Sequence, residues 1–165
     1  MKIPMHRIDV SVSEQMLRVY AVPDDRLIRA YRIATAKNGV GEQRGSERTP
    51  RGLHVIRAKI GAGSPPNTVF VGRRPTGEVY TPALREQFPA RDWILTRILW
   101  LSGCEVGKNR LGELDTMRRY VYIHGCPDTD AMGIPSSHGC IKMRNAEIIE
   151  LYDLVEPYTQ VLIRE

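Results

Sequence analysis

No stretch of this 165-residue chain is apolar over the length that a membrane-spanning helix requires. The most apolar segment, Trp93 to Leu101, is interrupted by Thr96 and Arg97. The opening Met1-Lys2-Ile3-Pro4-Met5-His6-Arg7 is not followed by the apolar core and small-residue cleavage site of an export signal. The expectation is a cytoplasmic location, with the periplasm as the alternative and no membrane partner. Cysteine is scarce: three residues, an odd number, without the spacing of a disulfide framework. No glycine-rich phosphate loop closed by Lys and no dinucleotide fingerprint occurs, so no cofactor is expected. The net charge of +5 and pI near 9.3 raise the question of nucleic acid. Only Arg73-Arg74 and Arg118-Arg119 are adjacent basic pairs, however, and no aromatics interleave with them as a base-stacking platform would need. Nucleic acid is therefore not an expected partner, and a mildly basic surface favours small anionic substrates such as a peptide with several carboxylates. The sequence sets no oligomeric state.

What is present is concentrated between Tyr120 and Met143. Two of the four histidines and two of the three cysteines fall there, as His124-Gly125-Cys126 and His138-Gly139-Cys140. Three chemistries fit. A thiolate can attack a carbonyl while an imidazole takes its proton and backbone amides hold the oxyanion. Alternatively Cys126, Cys140, His124 and His138 could ligate zinc in a metal-stabilised binding module, although one intervening Gly is not the two-to-four-residue spacing of structural sites. The third reading makes the cysteines small buried apolar residues. The segment C-terminal to Cys140 favours the first. Asn145 is placed to cap a helix whose apolar positions Ile148, Ile149, Leu151, Tyr152 and Val155 recur at helical spacing, so Cys140 would lie between a Ser/Gly turn and a helix.

These residues also resemble a known family, the L,D-transpeptidase catalytic domain (YkuD-like). Its signature is a His-Gly, a loop of a dozen or so residues, then Ser-His-Gly-Cys with an aliphatic residue, Arg, and Met or Leu. Here it falls on His124-Gly125 and on Ser137-His138-Gly139-Cys140-Ile141-Lys142-Met143. The resemblance implies Cys140 as nucleophile, His124 as general base, the Gly125 carbonyl as the group that orients the imidazole, and His138 and Gly139 on the oxyanion side. It implies Ser137, Lys142 and Arg144 as substrate-binding residues and no metal. Lys142 replaces the family's Arg, and a point charge there exchanges for a planar bidentate fork, so carboxylate recognition would loosen or pass to Arg144. Cys126 stands where the family has Thr or Ser.

The rest of the chain reads as mainly β. Arg7 to Val12 and Met16 to Val22 alternate, Leu27 to Ala34 makes a third run, and short turns make these antiparallel neighbours. Thr49-Pro50-Arg51-Gly52, another element of the family pattern, leads into the strand Leu53 to Ile60, in which His54 is read as structural. Residues 61 to 92 are rich in Gly and Pro, which argues against long regular elements, and the family carries a lid here. Phe70, Tyr80 and Phe88 are its candidate pocket aromatics. Trp93 to Leu101 reads as strand or helix, Arg119 to Ile123 as the strand delivering His124, and Thr159 to Ile163 as a closing strand. The expected architecture is one catalytic domain over 1–165, an L,D-transpeptidase-like β-sandwich of mixed and antiparallel sheets with a helix after the catalytic Cys and a loop-rich lid.

The resemblance implies acyl transfer at the L,D bond of a peptidoglycan stem tetrapeptide or muropeptide, with release of the terminal D-alanine and sensitivity to carbapenems. Without an export signal the expected outcome is hydrolysis, an L,D-carboxypeptidase of cell-wall recycling. A periplasmic cross-linking transpeptidase that uses an amine acceptor is the alternative.

Overall fold

Alternation of apolar and polar residues sets the first elements. In the computed structural model, which describes residues 3–165, β1 (His6–Ser11) and β2 (Met16–Ala21) turn Ile8, Val10, Leu17 and Val19 into the core and pair antiparallel. Gln15 closes the turn between them in the left-handed region, φ 53°. β3 (Leu27–Arg32) adds antiparallel to β2. The remaining elements are β4 (Gly52–Ile60), β5 (Thr68–Val71), β6 (Arg74–Val79), α1 (Pro82–Gln87), β7 (Ile94–Gly103), β8 (Tyr122–Gly125), β9 (Ile141–Met143), α2 (Asn145–Leu154) and β10 (Gln160–Arg164).

The strands form one curled mixed sheet in the order β3-β2-β1-β10-β4-β7-β5-β6, with β8 on β7 and β9 on β8. Two pairs are parallel, β1 with β10 and β8 with β9. β7 is the pivot, since it pairs with β4, β5 and β8. Beyond β3 the chain leaves the sheet edge and buries Ile33 through Ala36. There Ala34 exchanges both backbone hydrogen bonds with Lys142 of β9, at 2.9 and 3.0 Å, so the curl brings the segment after the β3 edge against the outer strand of the β7-β8-β9 branch. Ile8, Leu17, Ile56, Leu99, Ile123 and Ile141 pack inside, closed by Ile148 and Leu151 of α2.

Several local expectations shift. Residues 61 to 92 hold the β5–β6 hairpin and the short helix α1, which Thr81 caps by accepting from the Leu84 amide. The run from Trp93 is a strand, and its alternation breaks at a bulge: Thr96 takes φ 75° and the register slips between Leu95 and Ile98. Arg119 and Tyr120 are not in the His124 strand. Met117–Arg119 is a 3₁₀ turn ended by left-handed Tyr120, and β8 begins at Tyr122. Asn145 does not cap α2, whose N-cap is Arg144 with no side-chain cap bond, because the Asn145 carboxamide is engaged in the interior.

His54 is structural, as its place in an alternating strand implied. It is fully buried, with Nδ1 on the Gly52 carbonyl and Nε2 on the Thr116 hydroxyl. Burial outweighs these contacts and lowers its pKa to about 4. The unfolded chain therefore takes up a proton near pH 6.5 that the folded protein refuses until about pH 4, and stability falls as pH falls through that window by about 3 kcal/mol. Melting temperatures between pH 4 and 7 should show this slope in the wild type and a reduced slope in His54→Gln.

Candidate active site

The loop before β9 is tied from both sides. Ser137 Oγ accepts from the Gly139 amide and donates to the Cys140 carbonyl. Thr49 Oγ1 donates to the Gly139 carbonyl and accepts from the Ala36 amide, both at 3.0 Å. The Thr-Pro-x-Gly stretch thus pins the turn that carries Cys140, and Thr49 is a positioning residue. Gly139 takes φ +134°, where an L side chain would be strained. The turn delivers Cys140 to the start of β9, where its partly buried thiol accepts from the Tyr122 amide at 3.3 Å and points its proton at the Tyr120 carbonyl, 3.5 Å away.

His124 comes from β8, beside β9 in parallel register. Its Nδ1 lies 2.6 Å from the Gly125 carbonyl, an acceptor, so the proton resides on Nδ1 and Nε2 is the basic nitrogen. Gly125 has no room for a Cβ, which would meet the Leu95 carbonyl at 2.6 Å and Asn145 Oδ1 at 2.5 Å. Asn145 holds this corner together. It accepts from the Thr96 hydroxyl and donates to the Cys126 carbonyl, Asn67 Oδ1 and Asp128 Oδ1. The β7 bulge is what turns the Thr96 hydroxyl to this network.

Cys140, His124, His138 and Ser137 line one cavity of about 370 Å³. Burial pushes the Cys140 thiol up to about 12, against the Tyr122 amide and Arg119, which favour the thiolate. Burial also lowers the pKa of His124, opposed by Asp92 and the Gly125 carbonyl. At rest the pair is therefore neutral. His138 lies on the rim, its Nδ1 3.8 Å from Asp92 Oδ2.

Lys142 and Arg144 do not line this cavity. The Lys142 side chain is largely enclosed, its ammonium against Asp130 at 2.9 Å and Ser136 Oγ at 3.1 Å, and Arg144 is exposed at the start of α2. Phe70 is buried, Tyr80 packs edge-on against Trp93, and Phe88 is exposed beside Arg91. The cavity aromatics are instead Tyr120 and Tyr122, and its cations are Arg73 and Arg119. The sequence marks Arg73 and Arg119 only as members of adjacent basic pairs, and Tyr120 and Tyr122 only as part of the run leading to His124. Cys126 is buried against Ala34 and Met132 with its thiol on the Met143 carbonyl, away from the cavity. Among the described residues no three His, Cys, Asp or Glu side chains gather as a metal would require, so the four-ligand zinc arrangement does not form.

Comparison with solved structures places the fold. An L,D-transpeptidase from Mycobacterium smegmatis superposes with TM-score 0.57 at 15% identity, over 98% of this chain and 59% of that one. L,D-transpeptidase 3 from Mycobacterium tuberculosis, solved with a faropenem-derived adduct, gives 0.58 at 15% identity over 98% and 61%. Bd1075 of Bdellovibrio bacteriovorus gives 0.59 at 18% over 97% and 48%. The chain thus spans less than two thirds of each of these proteins. No curated protein matches it in sequence. The family model of the L,D-transpeptidase catalytic domain (YkuD) matches residues 5–163, and the chain belongs to that family.

Proposed function

We propose that this protein performs cysteine acyl transfer at the L,D bond of peptidoglycan stem tetrapeptides, releasing the terminal D-alanine. The observation that carries the reading is Cys140 in one cavity with a His124 whose Nδ1 is committed to the Gly125 carbonyl. In the first step Nε2 of His124 takes the thiol proton as Sγ bonds to the carbonyl carbon of the third, L-configured residue. The amides of His138 and Cys140 hold the oxyanion, the Gly139 amide being committed to Ser137 Oγ. The intermediate collapses by breaking the C–N bond, and His124 returns the proton to the departing D-alanine nitrogen. A carbapenem would acylate the same sulfur by opening its lactam.

Water then attacks the thioester, with His124 as base, to give the tripeptide and the free thiol. The basic surroundings support this L,D-carboxypeptidase outcome. Arg73 and Arg119 line the cavity, and in an adjoining groove Arg44 and Arg118 outnumber the one carboxylate, Glu47, so that the net positive charge opposes entry of a protonated amine. Amine attack, the cross-linking outcome, is supported by the family itself and by Asp92 at the rim, an anion to receive an ammonium. Incubation with a tetrapeptide muropeptide and mass analysis distinguishes the two. Tripeptide plus D-alanine without dimers is expected, and abundant dimers or D-amino-acid exchange would establish the transferase instead.

A further inference from the structure

Two cations line the Cys140 cavity, and their commitments differ. The Arg119 guanidinium is spent on the backbone: it donates to the carbonyls of Gly41, Glu42 and Arg48 and to Ser46 Oγ. It acts as a strut holding the loop over 41–48 against the 3₁₀ turn. Arg73 is arranged otherwise. It sits at the tip of the β5–β6 hairpin in the left-handed region, φ 65°, which directs its side chain back over the site. Its guanidinium lies over the rings of Trp100 and Tyr120, 4.9 and 4.7 Å from their centroids, and one nitrogen donates to the Tyr122 hydroxyl at 3.1 Å.

Aromatic faces fix the plane of the fork without using its N–H groups. Among the described residues no carboxylate pairs with it, and only Tyr122 accepts from it. The same Tyr122 donates its backbone N–H to the Cys140 sulfur. The fork is therefore linked to the nucleophile through Tyr122, on the lining of the same cavity, with most of its donors free. Lys142, the residue whose motif position pointed to carboxylate recognition, is held outside the cavity by Asp130, which it shares with Arg85.

We propose that Arg73 is the specificity residue for the C-terminal carboxylate of the peptide donor, one residue beyond the scissile bond. The inference rests on the acyl-transfer reading and narrows it. The enzyme takes peptides that end at the leaving D-residue and discriminates against those in which that carboxylate is blocked.

The test compares kcat/KM for the free-acid tetrapeptide and its C-terminal carboxamide. A charge-assisted bond predicts that the wild type prefers the acid by about ten- to a hundredfold. In Arg73→Met, which keeps an apolar stem over Trp100 and Tyr120, the acid-to-amide ratio should collapse toward one, and Arg73→Lys should recover part of it. Alkylation of Cys140 by iodoacetamide at the wild-type rate in Arg73→Met would show that the site is intact. A wild type that turns over acid and amide equally, or an Arg73→Met that keeps the wild-type ratio, overturns the proposal and leaves acyl transfer standing. A wild type that turns over neither peptide refutes the acyl-transfer reading, and the inference falls with it.

Discussion

Cys140→Ala should lose tetrapeptide turnover by about 10⁴-fold or more, the scale set by removal of a nucleophile in acyl-transfer enzymes. Mass spectrometry after carbapenem treatment should show a single adduct on the wild type, none on Cys140→Ala, and an unchanged adduct on Cys126→Ala. The two thiols form a sharp comparison because burial raises both pKa values to about 12. Ionisation does not separate them, and location does. Cys140 opens onto the cavity, while Cys126 is enclosed by Ala34 and Met132 with its proton on the Met143 carbonyl. Cys126→Ala should lower stability by about 1 kcal/mol through the volume removed and leave the chemistry intact. An adduct on Cys126 would overturn the assignment.

His124→Ala should lower kcat by about 10²- to 10⁴-fold, the usual contribution of a positioned general base. A thiol with pKa about 12 is ionised in about one molecule in 10⁵ at pH 7, so attack depends on proton removal as the S–C bond forms. His138→Ala should have a smaller effect, since His138 lies exposed on the rim beside Asp92. Near-wild-type acylation in His124→Ala with loss in His138→Ala would reverse the roles. The pH profile supplies a second check. The base must be neutral, and burial moves its pKa below the ordinary 6.5, so activity should persist below pH 6.5 and fall only at more acidic values. An acidic limb above pH 6.5 would contradict a buried His124 as the base.

That His124 and Cys140 share one cavity was legible because both halves of the motif are short, local and in order. Thr49 was legible as part of a motif and not as a function. Its role depends on Ala36 and Gly139 meeting at one hydroxyl, which is a tertiary event. Asn145 shows local propensity overridden: a side chain suited to an N-cap found Thr96, Asn67, Asp128 and the Cys126 carbonyl within reach and took them instead. The bulge at Thr96 carries no Gly to announce it. Lys142 was placed in the motif by spacing, but the partner that engages it, Asp130, lies in the loop between the motif halves, where the motif specifies no residue. Arg73, Tyr120 and Tyr122 converge only because the hairpin, the 3₁₀ turn and β8 meet around the thiol.

The hydrogen bonds between Ala34 and Lys142 also bear on the order in which the protein assembles. β9 is held on one side by a residue near position 34 and on the other by β8, while β1 near the start pairs with β10 near the end. Contacts this distant in sequence require large loops to close before they reward the chain, and such topologies fold slowly. The Cys140 turn is complete only when residues 34–49 have met the segment over 137–142. During synthesis and early folding its thiol is an ordinary exposed one, ionised to a few per cent at neutral pH. Closure of the sheet then partly buries it and moves its pKa up to about 12, and the same event brings His124 to the lining of the same cavity. The thiol becomes less reactive toward bulk reagents at the moment that it and His124 come to share one cavity.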